Sequence, residues 1–201
     1  KSVTESNQLA ELQKILFGNE SKSLADVPEG NPEAANQNAV NELQQVGAVV
    51  LPVADESNYL SVNLVNVTEI NSAIDLLVRL NQQVVWLKAG DLQITDSHVN
   101  QLAQLNQLTK LNLERTGITD AGLSKLNSLT NLQYLNLNQT EVTTNGISSL
   151  KSLKNLRSLY IYGTFVAAEE LPTLQAMFPN TKIELGNYVV PLLESDTTIL
   201  K

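Results

Sequence analysis

Apolar positions along this chain fall into a 24-residue period between Val84 and Pro179. Four units line up without gaps: VVWLKAGDLQITDSHVNQLAQLNQ, LTKLNLERTGITDAGLSKLNSLTN, LQYLNLNQTEVTTNGISSLKSLKN and LRSLYIYGTFVAAEELPTLQAMFP. A looser unit of 25 residues precedes them at Tyr59–Gln83. Read as columns, Val62, Leu87, Leu111, Leu135 and Leu159 stand two positions before Leu64, Ala89, Leu113, Leu137 and Ile161. That alternation belongs to a strand with one face buried. After a turn come Ile74, Val99, Leu123, Ile147 and Leu171, then Leu77, Leu102, Leu126, Leu150 and Leu174, then Leu80, Leu105, Leu129, Leu153 and Met177. A spacing of three puts these columns in one stripe on a short helical segment. Each unit therefore predicts a strand, a turn and a short helix. None could bury its apolar face alone, whereas stacked copies share one continuous core.

The pattern changes at both ends. Leu9, Leu12, Ile15 and Leu16 stand at helical spacing within residues 8–17, and Gly18–Ala34, with Pro28 and Pro32, reads as a linker. A second helix is predicted from about Ala34 to Val46, stopped by Gly47. Val49-Val50-Leu51-Pro52-Val53 reads as an edge strand. Too few residues separate it from Leu60 for a parallel crossover, so an antiparallel hairpin is expected to cap the first open end of the stack. Asn180–Gly186 supplies one more strand, with Ile183 and Leu185 inward. The expected division is an N-terminal helix and linker (1–34), an N-terminal cap (35–58), the repeats (59–186) and a C-terminal capping tail (187–201).

Self-similarity at this period with an L-x-x-L-x-L core resembles a leucine-rich-repeat solenoid. The consensus L-x-x-L-x-L-x-x-T-x-I/V-T-x-x-G-L/I-x-x-L-x-x-L-x-N resembles bacterial leucine-rich repeats over about Tyr59–Leu185. The resemblance implies an α/β fold: a curved parallel sheet with short helices on the convex side, behind an N-terminal helix and hairpin cap. Val49–Asn66, the repeats and Phe178–Lys201 are similar to the C-terminal region of membrane-bound c-type cytochrome proteins of Bacteroidetes-like bacteria. That likeness implies a periplasmic or cell-envelope setting within a larger parent, and the start at Lys1-Ser2 without Met reads as a piece of one. There is no Cys, hence no C-x-x-C-H, so no haem or other cofactor is expected here.

Composition narrows the function classes. A net charge of −8 argues against a nucleic-acid partner, which needs a basic footprint. No apolar run approaches the roughly 20 residues of a membrane span, so no insertion of this segment is expected. The phrase I/V-T-D/T-x-G recurs at Ile94, Ile118 and Val142, and its Thr-Asp pairs read as helix N-caps rather than metal ligands. Thr116, Thr140 and Thr164 read as hydroxyls that satisfy the bend after each strand. His98, the single histidine, reads as a helix-start residue. No nucleophile, phosphate-loop or zinc-protease motif occurs, and no catalytic or metal residue is expected; a repeat-type enzyme would need paired acids such as Asp91 and Glu114.

Function is expected on the strand positions that point away from the core. They carry Trp86, Lys110 and Tyr134 in one column, Lys88, Asn112, Asn136 and Tyr160 in the next, and Tyr162 in the third. Aromatics make up only 4% of the chain, yet the sole Trp and three of five Tyr fall on this face. Two patches are expected: Trp86 with Lys88 and Lys110, and Tyr134 with Tyr160 and Tyr162. Rigid rings among polar neighbours suit a protein partner, or another part of the parent chain. A glycan stacked on the same rings, bordered by Asn112, Asn136 and Asn138, is the alternative ligand.

Overall fold

Each repeat returns the chain to the same edge of a growing sheet, and strand order follows sequence order as a result. The computed structural model describes residues 26–186. The helix read at 8–17 and the capping tail at 187–201 lie outside the described residues. Seven strands form one sheet in the order β1 to β7: Val49–Pro52, Leu60–Asn63, Val84–Lys88, Lys110–Asn112, Tyr134–Asn136, Ser158–Tyr160 and Lys182–Glu184. The pair β1–β2 is antiparallel, with Val50 opposite Val62, as the short connection requires. From β2 onward every pair is parallel and Leu87, Leu111, Leu135, Leu159 and Ile183 stand side by side. The 25th residue of the first unit is absorbed at Val85. Leu60 pairs with Val84 and Ser61 with Trp86, so the register shifts by one between them.

One face of the sheet is covered by helices. α1 (Gln37–Gln45) begins where the Asn36 carboxamide accepts from the backbone N–H groups of Asn38 and Ala39, and it buries Ala39, Val40 and Leu43. Gly47, at φ +101°, turns the chain into β1 where a Cβ would lie 2.5 Å from the Asn66 carbonyl oxygen. α2 (Ile70–Val78), α3 (Asp96–Leu102), α4 (Asp120–Leu123), α5 (Thr144–Ser149) and α6 (Leu171–Met177) follow β2 to β6 in turn. In the two middle coils the helix tightens to three residues per turn over Ser124–Ser128 and Leu150–Ser152. That pitch is what a stripe spaced by three requires. The resulting core runs without a break from Ala39 through Leu105, Leu135 and Leu159 to Phe178. Among the described residues no helix is long and apolar enough to cross a membrane.

The last coil departs from the column pattern. Met177, expected inward, is largely exposed, and Phe178 is buried in its place. Phe178 caps the end of α6, its N–H donating to the Leu174 carbonyl at 3.0 Å, and the two side chains, four apart, both face the core. The three-residue rhythm of the earlier coils ends there.

Candidate functional site

Alternation along each strand sends the candidate residues to the face opposite the helices, but the two halves of that face differ. Over β2 to β4 it is covered. Trp86 is only 5% exposed and packs with Val53, Tyr59, Val85 and Val27. Lys110 is 7% exposed, its Nζ 3.2 Å from Asp26 Oδ2, and sits 4.9 Å from the Trp86 ring centroid and 4.6 Å from that of Tyr134. The expectation that Trp86 and Lys110 form a solvent-facing patch is thus corrected. Their strand positions are as read, but residues 26–33, taken for a linker, cross the face above them. Asn31 and Pro32 tie that segment to Glu56 and Asn58 in the β1–β2 connection, and the Glu33 carbonyl accepts from Gln83. Lys88, further along β3, is half-buried.

Among the described residues no segment crosses the face toward the far ends of β6 and β7. Tyr160 and Tyr162, with Asn138, Glu184 and Gly186, line a pocket of about 240 Å³. Tyr162 is 51% exposed, and Phe165, three residues on, is 68% exposed. Gly186 gives the Tyr162 ring its room, since a Cβ there would meet ring atoms at 2.4 Å. Tyr134 is half-buried with its ring against Lys110, so the expected trio divides: Tyr160 and Tyr162 share the pocket, while Tyr134 belongs to the covered half. Asn138 is the residue expected at the border of a stacked glycan, while Glu184 and Gly186 stand in outward columns of the repeat and could have been found there. Phe165 interrupts a column otherwise filled by Gln93, Gly117 and Glu141. Asp26 carries no local signal at all.

Asn112 and Asn136 have a structural task beside any contact they could offer. Each carboxamide oxygen accepts from the backbone N–H two residues on, at Glu114 (2.8 Å) and Asn138 (2.9 Å), closing the bend after the strand. Asn136 also donates to Glu114 Oε2 at 3.2 Å. Thr116, Thr140 and Thr164 complete the bend by donating to the carbonyls of Leu113, Leu137 and Ile161 at 2.6–2.8 Å.

The position just before the threonine column is left-handed: Asp91 at φ +61°, Arg115 at +52°, Gln139 at +55° and Gly163 at +68°. The three non-glycine side chains stack along the solenoid, with Arg115 gripping Asp91 through both carboxylate oxygens and reaching Gln139 at 3.3 Å. Arg115 also meets Glu114 at 2.8 Å. The side-chain hydrogen bonds from Arg115 hold Asp91 below the ordinary carboxylate range. Two acids sharing one guanidinium, the nearer kept ionised, are poorly suited to general acid catalysis.

The T-D-x-G phrase is a cross-link between coils. Thr119 and Thr143 cap their helices, accepting from Ala121 and Asn145. Asp96 reaches into the next coil, where it accepts from the Thr119 backbone N–H at 2.8 Å and hydroxyl at 2.7 Å. Asp120 does the same for Thr143 at 2.8 and 2.6 Å. The glycine column makes the space, because a Cβ on Gly122 or Gly146 would lie 2.2 or 2.0 Å from the preceding carboxylate oxygen. In the last coil the roles exchange: Thr144 donates to Glu170, which fills the glycine column and is held below the usual carboxylate range by that bond. His98 occupies the same column in the first full coil, between Thr95 and Asn71. Among the described residues no group of His, Cys, Asp or Glu side chains is placed to hold a metal ion.

Parallel strands in register, bends sealed by Thr and Asn, and helices cross-linked at their starts define a leucine-rich-repeat solenoid. Two stretches, residues 104–126 and 128–151, match the family described as Leucine Rich repeat. Among solved structures the chain is similar to an internalin (inlF) of Listeria monocytogenes, at 27% identity and a TM-score of 0.46 over 54% of this chain and 30% of that one. It is also similar to internalin C2 (inlC2) of the same species, at 24% identity and a TM-score of 0.45 over 54% of this chain and 44% of that one. A leucine-rich-repeat protein of Leptospira interrogans is similar at 22% identity, with a TM-score of 0.43 over 53% and 27% of the two chains. The matched part takes up less than half of each of these three proteins. Curated proteins provide no match.

Proposed function

We propose that this chain is a non-catalytic interaction module that binds a protein partner, or another part of its own parent chain, through the face of the sheet opposite the helices at β5 to β7. One observation carries the reading: Tyr160 and Tyr162 line a pocket framed by Asn138 and Glu184, and Tyr162 is 51% exposed, in a protein with few rings to place. Aromatic anchors in a polar surround supply most of the energy at protein interfaces. Asn136 then borders the contact from β5, Lys88 and Asn112 stand on the covered half, and Trp86 and Lys110 lie under the crossing segment with Tyr134 against Lys110. The larger parent and its cell-envelope setting rest on the resemblance of the flanking sequences to membrane-bound cytochrome proteins.

The test is a photo-crosslinking amino acid placed at Tyr162 in one full chain and at Lys125, on the helix side, in another. Incubated with envelope extract of the native host, the first should trap one discrete species and the second none. Identical products from both positions, or none from either, would remove the proposal.

A further inference from the structure

The segment that crosses the sheet carries a carboxylate with a seat of its own. Asp26 is 3% exposed, with Oδ2 at 3.2 Å from Lys110 Nζ and Oδ1 at 3.2 Å from Arg157 Nη1. Lys110 is fixed from both sides by the faces of Trp86 and Tyr134, at 4.9 and 4.6 Å. Two π-faces help hold an ammonium in place, but they do not neutralise it, and a desolvated cation calls for an anion. Lys110 opens β4 and Arg157 stands just before β6, on either side of β5. The two cations sit on a protein whose net charge is −8. Beyond Asp26 the segment packs Val27 against the Trp86 cluster, passes through Pro28 and through Gly30 at φ +91°, and is hydrogen-bonded from Asn31.

We infer that the Lys110–Arg157 seat is a docking site for an acidic side chain of an extended peptide, and that Asp26 fills it in cis as a built-in competitor. The inference rests on the reading of this face as a docking surface and adds the chemistry of the partner: an acidic, extended segment. Displacing the N-terminal segment would join the Trp86–Tyr134 half of the face to the Tyr160–Tyr162 pocket. The tethered acid acts at a high effective concentration, so a free peptide competes poorly until the tethered carboxylate is removed.

Trp86, the single Trp, lies beneath the segment and reports on it by fluorescence. The full chain carrying Asp26→Ala should show red-shifted, more quenchable Trp emission with its far-ultraviolet dichroism unchanged. The probe is an acetylated peptide with the sequence of residues 26–33, Asp-Val-Pro-Glu-Gly-Asn-Pro-Glu. It should reverse the shift saturably in the variant, bind wild type at least tenfold more weakly, and lose its effect when its first residue is Asn. Adding Lys110→Met to the variant should abolish binding. If Asp26→Ala does not fold, the near-isosteric Asp26→Asn takes its place; a chain that folds with neither has a permanent clasp, and the inference is overturned. It is overturned equally if the Asp and Asn peptides act alike or neither acts. Crosslinking at Tyr162 can succeed in any of these cases, so the two proposals fail separately.

Discussion

Gly122 and Gly146 show how a single missing carbon organises the stack. Their columns are empty because the carboxylate of the preceding coil is seated there, held by the next threonine. Gly122→Ala should therefore cost about 1–3 kcal/mol in urea denaturation, the scale of displacing a half-buried acid from its hydrogen bonds. In an Asp96→Ala background the same change should cost less, with a coupling of at least about 0.5 kcal/mol in the double-mutant cycle. Additive costs would mean that Asp96 is not the group the glycine accommodates. The recurrent T-D-x-G phrase was legible in the sequence, but only half of its role was. Capping is local and can be read from one unit, whereas the Asp of one coil and the Thr of the next meet only once the coils have stacked.

Elements were legible where their causes are local. Strand alternation, the Pro-bearing edge strand and the short hairpin connection each followed from a few neighbouring residues. The last helix did not, because a three-residue and a four-residue stripe start alike and part only at Met177 and Phe178. Phe178→Ala should lose about 3–5 kcal/mol and Leu135→Ala about 2–5 kcal/mol by cavity formation. Met177→Ala should stay within about 0.5 kcal/mol, as exposed substitutions do. A Met177→Ala cost rivalling that of Phe178→Ala would restore the original column. The left-handed ladder also belongs to this scale. Asp91, bonded to Arg115, has a folded pKa below its unfolded one, so its stabilisation is present above about pH 4 and is lost as pH falls through the folded value. Both side chains are about half exposed, so the effect is small and screened by salt. The stability gap between wild type and Arg115→Gln should be open at pH 6, close in acid, and narrow at 1 M NaCl. A gap independent of pH and salt would assign the role of Arg115 to its packing.

At the scale of the whole molecule, one face of the sheet is left by the helices, and residues 26–33 cover the part of it that holds Trp86 and Lys110. The repeat made the face legible and named its rings. It could not show which rings remain in water, because Asp26 and Arg157 are 131 residues apart and nothing near either announces the other. Among the described residues no segment crosses the Tyr160–Tyr162 end, and the account turns on that end making the contact. The decisive measurement is the affinity of the species trapped at Tyr162, purified and titrated calorimetrically against wild type, Tyr160→Ala, Tyr162→Ala and the helix-side Lys125→Ala. The account predicts that each tyrosine variant stays folded and loses at least about 30-fold in affinity, the 2 kcal/mol scale of an interface anchor, while Lys125→Ala binds as wild type does. Equal affinity across all four chains would contradict it.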